Sequence, residues 1–599
     1  MKRKKDIIQI PLNYGCDTET YNDNGEYGLK SIQIWGKDQN QYFTTDNWEQ
    51  SSLSIRFEIC EKFFNFLYEQ KNNINIAFFN LTFDCSQFLY WLVTKSGYEI
   101  QTDSLIVGKG QIQILESDRK VYLIQIRTFD GFLIRMIDLA NFLVGVNLDN
   151  ACKSWLGRGK VAIESKTFPK KASTPIEIEY AMEDSHLTYD LYLELMDFGV
   201  IEGHKNVTIA GRTMQHFKSY LFERFGLTFD QYFYLGANAD EVEQMKKLIE
   251  DEIRQGVKGA ICQAWQYGTF DNCIHIDAKS MYPTQCVRDF IPIGGLLKEP
   301  PDQKYTTIVY PSGFYTLKPN RVPCVQWRSK NNASRYSYLN VYDVGDFVQD
   351  FYLDGSYPIW IEEYEVIKEC YDVQQEEINK KWYIRLAKNE VLKPYVQELY
   401  KGKQTNKGSK KLYFKYLLNS LYGKYLTRPD GVGISYVQIN GDWKRIKTVG
   451  EKKTYYVPLG SWIAMMGRVT LMKAIISVCD LYGANSFLYC DTDSLIIKKP
   501  AMANVEIGEN LGQWGIECDN VKVNIVGPKT YQELLEDGKV ITKCGGLPTR
   551  EKQKLNWLEL KDGLKVNTAK PRRNPDTWEI NIKDTEFTVS ARNGLFLQR

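Results

Sequence analysis

Tyr489-Cys490-Asp491-Thr492-Asp493-Ser494-Leu495-Ile496 sets two carboxylates one residue apart between apolar runs. In an extended chain, positions i and i+2 share a face, and a hairpin through this stretch would project both carboxylates from its tip. Two hard oxygen ligands on one rigid turn suit Mg²⁺, and phosphoryl transfer calls for metal charge at both the attacking and the leaving oxygen. An Asp-x-Asp is equally an ordinary polar turn in which Asp bonds its own backbone, so other segments must decide.

His275-Ile276-Asp277-Ala278-Lys279-Ser280-Met281-Tyr282-Pro283 places another carboxylate at the end of a short apolar run, and Pro283 helps to close a turn after it. Between the two acidic segments, Lys415, Asn419 and Tyr422 recur at i, i+4, i+7, which puts them on one helical face, with Gly423 placed to relax or end the helix. A cation, an amide and an aromatic ring on one stripe suit a nucleoside triphosphate. The same pattern also describes an amphipathic surface helix with Leu417, Leu418 and Leu421 in the core.

A second acidic set lies upstream. Asp17 and Glu19 share a face of an extended segment; Ile74 to Phe79 reads as a buried strand before Asn80-Leu81-Thr82-Phe83-Asp84 and a helical Phe88 to Val93. Further on, Tyr180 and Asp184 sit one helical turn apart. Asp17, Glu19, Asp84 and Asp184 could converge on two divalent ions, with the Tyr180 hydroxyl orienting a water.

Taken together and in order, the three downstream segments resemble motifs A, B and C of family B DNA polymerases, D-x-x-S-L-Y-P, K-x-x-x-N-S-x-Y-G and Y-x-D-T-D-S, with Met281 for the usual Leu. The upstream acids resemble the Exo I, Exo II and Exo III motifs of proofreading 3′→5′ exonucleases, and Lys529-Thr530-Tyr531 resembles the family's K-x-Y element. The resemblance implies polymerase catalysis at Asp277, Asp491 and Asp493, with metal held by Asp277, Ala278 and Asp493. It implies exonuclease catalysis at Asp17, Glu19, Asp84, Asp184 and Tyr180, the four acids being metal ligands. Two Mg²⁺ per site are expected, with Mn²⁺ as a substitute. Nucleotide contacts are expected at Tyr282, Lys403, Lys411, Lys415, Asn419 and Tyr422, and DNA contacts at Thr20, Asn80, Phe83, Gly259, Lys529 and Tyr531. Tyr282 would exclude a ribose 2′-hydroxyl, and Tyr422 would meet the nascent base pair.

Two departures stand out. Thr18 replaces a large residue and is expected not to touch the ligands; Val257-Lys258-Gly259-Ala260 lacks the tyrosine of the family's Y-x-G-G/A loop, which helps partition the primer strand.

Two insertions narrow the subfamily: about 289–372 after motif A, and about 429–456 after motif B, the latter reading as a hairpin around Asn440-Gly441-Asp442. Their positions resemble the terminal-protein regions of protein-primed DNA polymerases of small phages and linear plasmids. That likeness implies a mixed α/β fold: an RNase H-like exonuclease domain (1–200), palm (201–288 and 457–547), fingers with motif B (373–428) and thumb (548–599), besides the insertions. The fingers are expected as a helix from Glu377 to Tyr400, a turn from Gly402 to Gly408 and a second helix from Lys410 to Tyr425. The implied partners are template and primer DNA, dNTPs and a separate priming protein, for an enzyme acting as a monomer or a one-to-one heterodimer in the host cytoplasm. A family B polymerase extending nucleic-acid primers, a nuclease with a degenerate polymerase half, and a non-catalytic DNA-binding protein are the alternatives.

Composition agrees with a large enzyme: 599 residues predict about four domains. The 76 basic and 74 acidic residues nearly cancel, so DNA binding requires segregated charge. Thirteen cysteines without C-x-x-C spacing exclude a disulfide framework and a zinc ribbon, and point to a reducing, intracellular setting. Four histidines leave little room for His-centred catalysis. The basic start lacks the long apolar run of a signal peptide, and Arg468 and Lys473 interrupt the later apolar run, so no membrane span is expected.

Overall fold

The computed structural model describes residues 10–23, 26–101, 107–117, 120–161, 168–201, 206–325, 340–341, 350–451 and 454–590. The N-terminal unit is an eight-stranded sheet in which strand Leu12–Asp23 runs between antiparallel Glu26–Gly36 and parallel Ile74–Phe78. Every residue of Ile74–Phe78 is buried, as its unbroken apolar run requires. Asn80, in the left-handed region at φ 83°, turns the chain into helix Leu81–Thr94. Helix Pro175–Asp197 starts from a capping box between Thr174 and Glu177, with Pro175 in its first turn, and packs against Leu12–Asp23.

A seven-stranded sheet forms the second unit, with strand Gly268–Ala278 central between Ser494–Lys498 and Trp514–Gly527. Phe487–Asp491 and Ser494–Lys498 form the hairpin expected from the opening stretch. Thr492 takes φ 62° and the Asp493 amide donates to the Asp491 carbonyl at 2.6 Å, which closes the tip.

The first insertion builds most of a six-stranded sheet, and here two expectations fail. Tyr371–Lys388 is a strand of that sheet, paired with Tyr305–Leu317 and Phe290–Leu297, so the boundary drawn at residue 372 falls inside it. The helix expected from Glu377 begins only at Leu392 and continues to Thr405, placing Gly402 and Lys403 within it rather than in a turn. Trp382, Ile384 and Leu386 alternate at period two, and long-range pairing exploited that alternation over the helical spacing of Ile378 and Trp382. The partner helix spans Gly408–Tyr425.

The second insertion is a hairpin of Asp430–Ile439 and Asp442–Glu451, with Asn440 at φ 51° and Gly441 at φ 88°, the paired positive values of a type I′ turn. A hairpin of Lys565–Arg573 and Ile580–Thr588 ends the described chain. Helix Val457–Tyr482 is long and apolar enough to span a membrane despite Arg468 and Lys473, but 83% of its apolar window is buried by the surrounding fold, which makes it a core helix. All thirteen cysteines are free thiols.

Candidate active sites

Strand pairing assembles the downstream acids. Asp277 stands opposite Ser494 in one register and opposite Gly515 in the other, while Asp491 stands opposite Ser494, so Asp277 and the hairpin tip share one end of the sheet. The Ala278 amide donates to the Asp493 carbonyl at 2.7 Å, clamping the two segments. Burial and then the charges of Asp277 and Asp491 push the Asp493 carboxyl up to about 7, and burial with Glu517 raises Asp277. Asp491 differs: Lys529 Nζ donates to both its carboxylate oxygens at 2.8 Å. The resulting cleft, of about 540 Å³, is lined by Asp277, the hairpin tip, Lys529, Tyr531 and Lys543.

The helix pair faces this tip. Lys403 Nζ donates to Ser280 Oγ at 2.7 Å, and burial together with Lys415 and Lys411 holds its ammonium below the ordinary lysine range. Three lysines crowd one another here, an arrangement that an anion such as triphosphate would relieve. Lys411, Lys415 and Asn419 are exposed on the Gly408–Tyr425 helix. Tyr422 from that helix stacks on Tyr282 with centroids 4.2 Å apart. Gly467 lies against Tyr282: a Cβ there would meet the ring at 3.1 Å, so a larger residue would require the ring to give by a few tenths of an ångström. Tyr282, Tyr422, Thr492, Lys529 and Gly259 line a larger cavity of about 1010 Å³.

The upstream acids form a separate site. Oxygens of Asp17, Glu19 and Asp184 lie within 4.8 Å of one another. Burial and Asp184 push Asp17 up to about 7, and burial with Asp17 and Asp184 raises Glu19 well above the carboxylate range. Asp84 stands beside this trio, accepting from the Thr18 hydroxyl at 2.8 Å and the Thr18 amide at 3.2 Å. Thr18 therefore does touch an expected ligand, a correction: a side chain between two strand acids reaches the helix that follows the neighbouring parallel strand Ile74–Phe78. Tyr180 lies buried near Asp184, its hydroxyl pushed up to about 12 by burial and then by Asp184. Thr20 and Phe83 are half-buried and Asn80 is exposed at the rim.

Three residues escaped the sequence reading. Lys160 Nζ meets Asp184 at 2.5 Å, and although burial opposes its charge, Asp184 and Asp17 hold it above the ordinary lysine range. Arg468 is buried, pairs with Glu363 at 2.7 Å and donates to the carbonyls of Lys258 and Gly259 at 2.9 and 3.2 Å. His275, two residues before Asp277, hands Nδ1 to Glu533 at 2.7 Å. Lone basic residues carry no periodic signal; only the Gly-Arg-Gly-Lys stretch ahead of Lys160 hints at a turn.

Both acidic groups offer hard oxygen donors whose mutual repulsion a divalent ion would relieve, so the residues present fit such ions.

The family model for DNA polymerase type B, organellar and viral, matches residues 158–509. The chain belongs to this family. The DNA polymerase of Bacillus phage B103 is 23% identical over 447 residues, covering 69% of this chain and 73% of that one; the phage phi29 DNA polymerase is 25% identical over 341 residues, covering 52% and 57%. The solved phi29 DNA polymerase complexed with primer-template DNA and incoming nucleotide superposes with TM-score 0.76 at 19% identity, over 97% of this chain and all of that one. The fold is thus the phi29-like one, with exonuclease and palm, fingers and thumb units. As a type B polymerase the chain makes DNA, and its family uses divalent metal ions.

Proposed function

We propose that this polymerase extends DNA by template-directed nucleotidyl transfer at Asp277, Asp491 and Asp493, proofreads 3′→5′ at Asp17, Glu19, Asp84 and Asp184, and starts synthesis on a priming protein while replicating a linear phage or plasmid genome inside its host. One observation carries the reading: a carboxylate hairpin tip faces a lysine cluster, while a second carboxylate group stands apart with its own lysine.

Asp277 and Asp493 would hold Mg²⁺, with Ala278 contributing its main chain, and Asp17, Glu19, Asp84 and Asp184 would hold the exonuclease ions. When bound, such ions lower the cost of forming the attacking oxyanion and of releasing the leaving oxygen. Lys529 neutralises Asp491 and, with Tyr531, steadies the primer end beside the tip. Lys403, Lys411 and Lys415 gather the triphosphate as mobile point charges, and Asn419 lies on the same face. Tyr282, braced by Tyr422 and Gly467, blocks a 2′-hydroxyl. In the other site, Thr20, Asn80 and Phe83 receive an unpaired 3′ end, Phe83 as a stacking surface. Gly259, held by Arg468, lines the route between the two.

The solved phi29 enzyme binds primer-template DNA and incoming nucleotide, which supports the same partners here. The two insertions, the first carried to Lys388, support protein priming and strand displacement. Asp493→Ala should lower extension about a thousandfold or more and spare exonuclease, while Asp17→Ala with Glu19→Ala should do the reverse. Loss of both activities in either variant would sink the two-site assignment. Incubation with template, labelled dNTPs and the candidate priming protein should yield a protein-linked nucleotide; a DNA-primer-only product returns the chain to ordinary priming.

A further inference from the structure

The stretch 256–261 leads into the palm sheet at Cys262–Ala264 and is gripped from one side by the first insertion. A Cβ on Gly256 would collide with the Pro358 carbonyl, so insertion backbone lies directly against this stretch. Lys258 Nζ stands 5.0 Å from the centre of the Tyr357 ring and 3.5 Å from Glu363. Glu363 belongs to helix Ile361–Cys370 of the insertion, is 8% exposed, and accepts the Arg468 fork at 3.0 and 2.7 Å. Burial works against its charge, yet Arg468 and then Lys258 hold the carboxyl down to about 2.

Arg468 comes from the core helix Val457–Tyr482 and turns its third nitrogen on the stretch itself, donating to the carbonyls of Lys258 and Gly259 at 2.9 and 3.2 Å. The opposite side of the stretch faces the polymerising tip. Val257, Gly259 and Ala260 line the cavity of about 1010 Å³ with Tyr282, Thr492 and Lys529, and the Ile261 carbonyl accepts from the Thr492 amide at 2.8 Å. An unbroken run of contacts therefore joins the insertion to the turn between Asp491 and Asp493. Its vulnerable point is electrostatic. A buried guanidinium that loses its carboxylate is left uncompensated, and its hold on the two carbonyls loosens with it.

We propose that the first insertion has a second task besides priming: through Glu363 and Arg468 it positions 257–260, and so sets how a primer 3′ end divides between the two acid sites. The inference rests on the reading above that the chain both extends and proofreads. Glu363 is a positioning residue, since it belongs to neither acid site and acts only through Arg468. Because the stretch borders the polymerising tip, loosening it weakens the hold on a paired 3′ end there and favours the exonuclease.

The test measures the dNTP concentration at which extension of a primer-template just balances its degradation, beside the insertion rate at saturating dNTP and the exonuclease rate on single-stranded DNA. Glu363→Gln keeps the shape and removes the charge. The balancing concentration should rise about tenfold, with both rates within about twofold of the parent. With Asp17→Ala and Glu19→Ala also present, Glu363→Gln should leave the dNTP dependence of extension unchanged, because the competing site is then silent. Glu363→Asp, which keeps the charge on a shorter stem, should give a smaller rise, and it carries the test should Glu363→Gln fail to fold. Ser461→Ala serves as the control: it removes the 2.9 Å bond from Trp360, another tie between insertion and core helix, without touching 256–261, and should keep the parental balance. Parental balance in both Glu363 variants overturns the inference. An equal rise in Ser461→Ala overturns it too, as does a rise that persists without the exonuclease acids, since general loosening or weaker nucleotide binding would then explain the shift. A parent that never degrades its primer refutes the two-site reading and the inference with it; a parent that does both, with unchanged variants, refutes the inference alone.

Discussion

The two acid sites share a plan and differ in enclosure. Each contains one carboxylate already answered by a lysine: Asp491 by Lys529 at 2.8 Å, Asp184 by Lys160 at 2.5 Å. Each leaves other acids short of counter-charge, with Asp493 and Asp17 both pushed up to about 7. At the hairpin tip the acids open onto a cleft of about 540 Å³. In the N-terminal unit Asp84 and Asp184 are buried, at 3% and 2% exposure, while Asp17 and Glu19 are half-buried. The lesson is that the lysine has different work in the two places. In the open site, solvent and several other lysines share the load; in the enclosed one, Lys160 stands within bonding distance of a nearly fully buried Asp184.

That contrast can be broken by removing each lysine without changing its length much. Lys160→Met should lower exonuclease activity about a hundredfold and leave extension intact, because a buried acid group loses its nearest counter-charge. Lys529→Met should lower extension about tenfold, mostly as a raised KM for the primer, with exonuclease preserved. Equal effects from the two substitutions would mean that enclosure does not set the difference.

How much of this was legible in the sequence follows the same division. Strand alternation and i+2 spacing made Asp277, Asp491, Asp493, Asp17 and Glu19 readable, and Asn440-Gly441 announced the second insertion, because these signals are local. Lys529 was readable only through Tyr531 two residues on. Lys160 was not, since nothing near it repeats and its partner lies in a helix beyond it. Tyr371–Lys388 misled for a related reason: its apolar residues satisfy both periods over a short span, and the choice was made by strands that lie before it in the chain. Arg468 belongs to the same class, as its meaning comes from a pairing across 105 residues.

Proton linkage sharpens the comparison further. An unfolded Asp titrates at about 3.9, whereas Asp17 and Asp493 sit near about 7 in the folded chain. Below about 3.9 both states are protonated; above about 7 both are ionised and the folded state carries the repulsion. Without divalent ions the protein should therefore lose stability as pH rises between these values. In EDTA, Tm should be a few degrees lower at pH 8 than at pH 5.5, and Mg²⁺ should restore it at pH 8. Asp17→Asn and Asp493→Asn should each remove part of that slope. A flat profile in EDTA would show that the acids are not held in mutual repulsion.

The smallest difference concerns two threonines placed alike. Thr18 Oγ1 donates to Asp84 at 2.8 Å, and Thr492 Oγ1 donates to Asp491 at 3.0 Å. Thr18 is 5% exposed and Asp84 3%, so Thr18→Val removes one of the hydrogen bonds of a buried acid while keeping the shape. The expected cost is about 1 kcal/mol, with exonuclease activity a few-fold lower and extension unchanged. Asp491 already receives two bonds from Lys529 and borders the open cleft, so Thr492→Val should leave stability and extension within experimental error. If the two valine variants behaved alike in chemical unfolding, burial would not be what separates the sites, and the role assigned to Lys160 would have to rest on distance alone.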